Sequence, residues 1–135
     1  MKTIVVGYDD TESARRALER TADLANAFDA KVVVSSVASA IHGRGIGPVD
    51  PVDPPELHRE ELRHAGAILA ERGIEAELDL ALGDPADHLV QLTDARQADL
   101  LVVGGRELHL VERMLGLSVS GKVGRKAHCD VLIVH

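Results

Sequence analysis

Aromatic side chains are nearly missing. Tyr8 and Phe28 are the only two and there is no tryptophan, so the chain has no platform on which unpaired bases could stack. Lysine and arginine number 15 against 22 aspartates and glutamates, and the resulting charge of −7 argues against nonspecific nucleic-acid binding. Cys129 stands alone, which excludes an internal disulfide and any cysteine-based zinc cage and leaves it the role of a small packed hydrophobe. No apolar run approaches the roughly 20 residues that a spanning helix needs. Met1-Lys2-Thr3 leads straight into a strand-like run without a cleavable signal pattern. These absences predict a cytoplasmic protein with no membrane and no nucleic-acid partner. The 45% hydrophobic and 27% charged residues are ordinary for a globular chain, and 135 residues make a single domain, 1–135.

What is present alternates regularly. Ile4-Val5-Val6-Gly7 is a β-branched run ending at Tyr8-Asp9-Asp10, and Thr11-Glu12 caps a helix with the stripe Ala14, Ala17, Leu18, Thr21, Leu24, Ala25 and Phe28. Lys31 to Val37 is a second buried-type strand. Ser39 to Pro55 turns to glycine and proline and holds no regular element; it is either a lid or partner-binding loop or a plain connector. Glu56 to Arg72 is helical through Leu62, Ala65, Ile68 and Leu69, with Gly73 as its C-terminal cap. Ile74, Ala76, Leu78 and Leu80 alternate with Glu75, Glu77 and Asp79, as a strand near a sheet edge does. Gly83-Asp84-Pro85 reads as turn, N-cap and first helical residue, and Ala86, Leu89, Val90 and Thr93 form the buried stripe behind it. Leu100-Leu101-Val102-Val103 is apolar throughout and delivers Gly104-Gly105-Arg106-Glu107. Ser118-Val119-Ser120 then opens a helix with Val119, Val123 and Ala127 inward, and Val131 to Val134 closes the chain as a strand.

Strand and helix repeated four times with a closing strand predict an α/β fold: a single doubly wound, five-stranded parallel sheet with four helices on its two faces. With strand order 3-2-1-4-5, the winding reverses between the first and fourth strands and brings Asp9 and Gly104 together at the place where such sheets bind ligands. A glycine turn followed by a helix start capped by Ser118 offers free N–H groups to an anion, so a phosphate site is expected there.

Asp9, Val37, Gly83-Asp84-Pro85-Ala86, Ala98-Asp99 through Gly104, Ser118-Val119-Ser120 and the closing Val-Leu-Ile-Val resemble the universal stress protein family over nearly the whole chain. The resemblance implies a Rossmann-like domain of the adenine nucleotide alpha hydrolase-like kind. It implies that Asp9 by its side chain and Val37 by its main chain, with Tyr8 beside them, hold an adenosine. The phosphates would then fall to Gly104, Gly105, Arg106, Ser118, Val119 and Ser120. Nucleotide-binding members carry Gly, two residues, Gly, nine residues, Gly, then Ser or Thr. Here Gly104 and Ser118 match, while Glu107 and Leu117 replace the second and third glycines. A like charge ~4 Å away costs about 4 kcal/mol at an effective dielectric near 20, enough to abolish useful ATP binding unless Arg106, His109 or Mg²⁺ relieves it. For Asp9, a turn or capping carboxylate is the equal alternative.

Other constellations fall away. Asp9-Asp10 resembles the acidic pair of receiver domains, but Gly104 and His135 stand where a hydroxyl residue and a lysine belong. Gly116 to Lys122 approaches a P-loop but ends on Val123 in place of Ser or Thr and does not directly follow a strand. The seven histidines are scattered, so they are read as solvated surface with no metal site. The expected function is therefore a universal stress protein, a stress-response binding module for ATP or another adenine nucleotide with a weakened phosphate loop, and Mg²⁺ only if ATP binds. The alternative is a member that binds no nucleotide and acts through protein contacts. No catalytic residue is assigned; slow ATP hydrolysis would have to rely on Glu107, Asp9 or His109. The resemblance also implies a homodimer through Val131 to Val134, and a signalling partner of unspecified kind.

Overall fold

The structure is a computed structural model describing residues 1–39, 55–105 and 126–135. Each strand forms where the chain is rich in β-branched or apolar residues, and each helix where the apolar spacing lengthens to three and four. In order the elements are β1 (Thr3–Gly7), α1 (Glu12–Phe28), β2 (Lys31–Ser39), α2 (Pro55–Glu71), β3 (Glu77–Gly83), α3 (Pro85–Ala95), β4 (Leu100–Gly104) and β5 (Asp130–Val134). The five strands are all parallel and lie in the order β3-β2-β1-β4-β5, as expected. Ser118 and its helix, and the segment from Ala40 to Pro54, lie outside the described residues; of the expected glycine-proline segment, Ser39 belongs to β2 and Pro55 opens α2.

Successive strand residues point to opposite faces, and both faces are covered. Ile4, Val6, Val32, Val34 and Val102 pack under α1 and α2, against Leu18, Leu62 and Leu69. Val5, Val33, Leu101 and Val103 pack under α3, against Leu89 and Val90. Each fully buried side chain of this size contributes about 1.5–3 kcal/mol relative to exposure, so these two layers are the main driving force for the fold. Cys129 sits half-buried at the edge of the second layer, where burial pushes its thiol pKa up.

The caps follow their local chemistry. Thr11 caps α1, its Oγ1 accepting the Ala14 N–H at 3.2 Å. Asp84 caps α3 in the same way through Asp87 N–H at 2.9 Å, with Pro85 in the first turn. Gly73 ends α2 at φ +76, and the Ile74 N–H reaches back to the Leu69 carbonyl at 2.9 Å, a six-to-one closure. At the amino ends of the strands Asp99 accepts the N–H groups of Lys2 (2.7 Å) and Thr3 (3.0 Å), which fixes β4 beside β1 and lowers the Asp99 pKa.

Two expectations need correction. Phe28 lies on the buried face of α1 but is 54% exposed, because the helix runs past the amino ends of the strands and has nothing there to pack on. In the third strand segment, regular pairing begins only at Glu77; Ile74 belongs to the closure of α2, Leu78 is exposed at the sheet edge, and Asp79 is half-buried against α3.

Candidate functional site

β1 and β4 pair side by side, Val6 opposite Val102, and beyond their carboxyl ends the chain diverges toward α1 on one face and α3 on the other. A cavity of about 170 Å³ opens there, lined by Tyr8, Asp9, Val37 and Gly104 together with Thr11, Ser13, Ser35, Ser36, His58 and Leu89. This is the crevice the strand order predicts.

The turn after β1 forms one wall. Asp9 Oδ1 accepts from the Thr11 backbone N–H at 3.2 Å and from Thr11 Oγ1 at 2.6 Å, so this carboxylate makes the turn and also faces the cavity. Asp10 takes a left-handed conformation (φ 59), which one short polar side chain tolerates. Its Oδ1 accepts the Tyr8 hydroxyl at 2.5 Å. Burial, with Asp10 adding to it, pushes the Tyr8 phenol up to about 12, so it stays protonated and donates.

Gly104 forms the floor. A Cβ there would stand 2.6 Å from Ser13 Oγ and 3.0 Å from the Ala14 nitrogen, so only glycine lets the start of α1 rest on the end of β4. Neighbouring Gly105 does not line the cavity; its N–H donates to the Val134 carbonyl at 2.7 Å, and a Cβ would meet His135. Of the expected site residues, Tyr8, Asp9, Val37 and Gly104 therefore come together. Arg106, Ser118, Val119 and Ser120 lie outside the described residues, as do Glu107 and His109.

Two hydroxyl–histidine–carboxylate clusters adjoin the cavity, one on each face of β2. Toward α2, Ser36 Oγ lies 2.6 Å from His58 Nδ1 and 3.2 Å from Glu61 Oε2, and His58 Nδ1 lies 3.2 Å from the same Oε2. All three residues are buried. Burial raises the Glu61 pKa first of all, His58 and Ser36 oppose the rise, and Asp10 and Asp9 add to it. Toward α3, Asp79 Oδ2 accepts the Ser35 hydroxyl at 2.8 Å and lies 2.6 Å from His88 Nε2, both side chains of the ion pair about one quarter exposed.

His58 thus departs from the expectation of a solvated histidine. The spacing held the signal: His58, Glu61, Leu62, Ala65 and Leu69 recur by three and four on one face of α2, so the apolar stripe simply begins with two polar residues. Ser35 and Asp79 meet only through the pairing of β2 with β3, which no local pattern announces. Among the described residues no group of three or more His, Cys, Asp or Glu is placed to hold a metal ion, and no helix is long and apolar enough to cross a membrane.

A family model described as the universal stress protein family matches residues 1–135. The universal stress protein Rv1636 of Mycobacterium tuberculosis is 38% identical over 153 residues, which take in 99% of this chain and 96% of its own length. Among solved structures, a universal stress protein in complex with cAMP is 31% identical with a TM-score of 0.71, covering 99% of this chain and 97% of that one. A family protein from Burkholderia pseudomallei is 27% identical with a TM-score of 0.74, covering 98% and 95%.

Proposed function

The chain belongs to the universal stress protein family, and from that premise we propose that the cavity between β1 and β4 binds an adenine nucleotide, making the protein a stress-response regulatory module. The observation that carries this reading is the cavity itself, walled by Asp9 and Val37 at the sheet's winding reversal, in a chain 31% identical to a relative whose structure holds cAMP. With Oδ1 of Asp9 committed to the Thr11 turn, Oδ2 is the atom assigned to a ribose hydroxyl. At about 170 Å³ the cavity is smaller than the ~300 Å³ at which ligand pockets usually begin. It suits the nucleoside end, with the phosphate directed outward past Gly104.

Glu107 and Leu117 at two glycine positions of the family pattern favour a monophosphate over ATP, since fewer charges then face the Glu107 carboxylate. The same two residues support a second reading, in which the protein binds no nucleotide and acts by protein contacts. Thermal unfolding with AMP, cAMP, ATP and adenosine separates the two. A ligand at a hundred times its Kd raises stability by about 2.7 kcal/mol, or the midpoint by roughly 5–10 °C. The expected order is AMP and cAMP above ATP; no shift with any of the four would establish the second reading.

β5 is an outer strand of the sheet, with Val131, Leu132 and Ile133 half-buried, and we propose that two copies pair along it as a cytoplasmic homodimer. Sedimentation at increasing concentration tests this; a monomer throughout would overturn it.

A further inference from the structure

Ser36, His58 and Glu61 form a closed triangle on the α2 side of the cavity, and two of its corners, Ser36 and His58, line the cavity directly. The serine has one proton to donate and can satisfy only one neighbour with it. If it donates to an ionised Glu61, His58 Nδ1 carries a proton and donates to Ser36 Oγ. If Glu61 is protonated, its O–H donates to Ser36, and the serine donates to a bare Nδ1. Ionised Glu61 beside neutral His58 gives a net charge of −1. One further proton, on either partner, gives a net charge of zero without moving a heavy atom.

The surroundings bear on that choice. Asp9 and Asp10 in the turn after β1 are the carboxylates that act on Glu61 from outside the triangle. Asp10 is engaged by the Tyr8 hydroxyl and by His64 of α2 at 3.4 Å, and Arg15 of α1 acts on Tyr8. β2 supplies no charged group beyond the serine. An anionic ligand brought into this cavity therefore meets a wall of carboxylates, and a proton on the triangle removes one of those charges where burial makes it count most.

We propose that the Ser36–His58–Glu61 triangle is a proton-linked binding element of the nucleotide cavity, which gains a proton when a phosphate-bearing adenine ligand enters. The inference rests on the nucleotide reading above and adds how the site admits an anion. Imidazole is the side chain whose ordinary titration spans roughly pH 5–8, so the linkage falls in the physiological range. Binding of AMP tightens as pH falls, and the free phosphate's own protonation is separated by using cAMP, whose single phosphodiester charge is constant across that range.

The test is calorimetric titration of the intact protein with cAMP from about pH 5.5 to 8.5, in pairs of buffers differing in ionisation enthalpy. The expected result is proton uptake on binding and a Kd that rises at least about threefold per pH unit over part of the range, up to the tenfold limit for one linked proton. Glu61→Gln and His58→Gln should each flatten the profile, and circular dichroism shows whether each still folds. Proton uptake in the unaltered protein needs no variant. Binding of cAMP without proton uptake, or an unchanged pH profile in a folded Glu61→Gln, would overturn the inference while leaving the nucleotide reading in place. Equal uptake with uncharged adenosine would overturn the assignment to ligand charge. No binding at any pH would overturn the nucleotide reading, and this inference with it.

Discussion

Ser35 and Ser36 are neighbours in one strand, yet each enters a different hydroxyl–histidine–carboxylate cluster, and the two clusters differ in how far they lie from water. The Ser36 cluster is closed off beneath α2, with His58 5% and Glu61 7% exposed. The Ser35 cluster sits at the edge of the sheet between β3 and α3, where Asp79 and His88 are about one quarter exposed. Similar groups at similar distances therefore work under different conditions. Toward α2 a charge is costly and a proton is easily held, as the raised Glu61 pKa reflects. Toward α3 water shares the load, and the bonds mainly tie β2, β3 and α3 together.

The largest effect that would break this comparison is Glu61→Ala. It leaves Ser36 and His58 buried without their acceptor and should cost about 3 kcal/mol in urea unfolding. Asp79→Ala should cost only about 1–2 kcal/mol, since water can replace the lost carboxylate. Equal losses at the two sites would mean that burial does not distinguish them. Ser35→Ala should be smaller still, about 0.5–1 kcal/mol by the same measurement.

The pH dependence sharpens the contrast. The Glu61 carboxyl holds its proton more tightly in the folded chain than its ordinary value of 4.5 allows. Its contribution to stability is therefore fully present below that value and is lost as pH rises through the higher folded one. Unfolding midpoints of the protein and of Glu61→Gln should accordingly diverge as pH rises above the ordinary carboxylate range, with the variant gaining relative to the native chain. Parallel curves would contradict this.

Most of the fold was legible because its determinants are local. The apolar runs of β1, β2 and β4, the Thr11 and Asp84 caps and the Gly73 closure are each carried by adjacent residues. The strand order followed from right-handed crossovers, and it placed Asp9 and Gly104 at one cavity. The clusters were not legible, because Ser35 meets Asp79 across paired strands and Ser36 meets His58 across 22 positions of chain. Phe28 misled for a related reason: periodicity tells which way a helix residue faces, and the end of the sheet decides whether anything is there to receive it.

Gly104 carries a consequence for any ligand of this cavity. Because the start of α1 occupies the space where a side chain would begin, β4 can present only peptide groups to whatever lies above it. Selectivity among ligands must then be written in the flanking turn and in the ends of β2, while the base of the chamber stays chemically uniform. A methyl group added at Gly104 would press directly on the α1 backbone, so remodelling the base would disturb the seating of a whole helix.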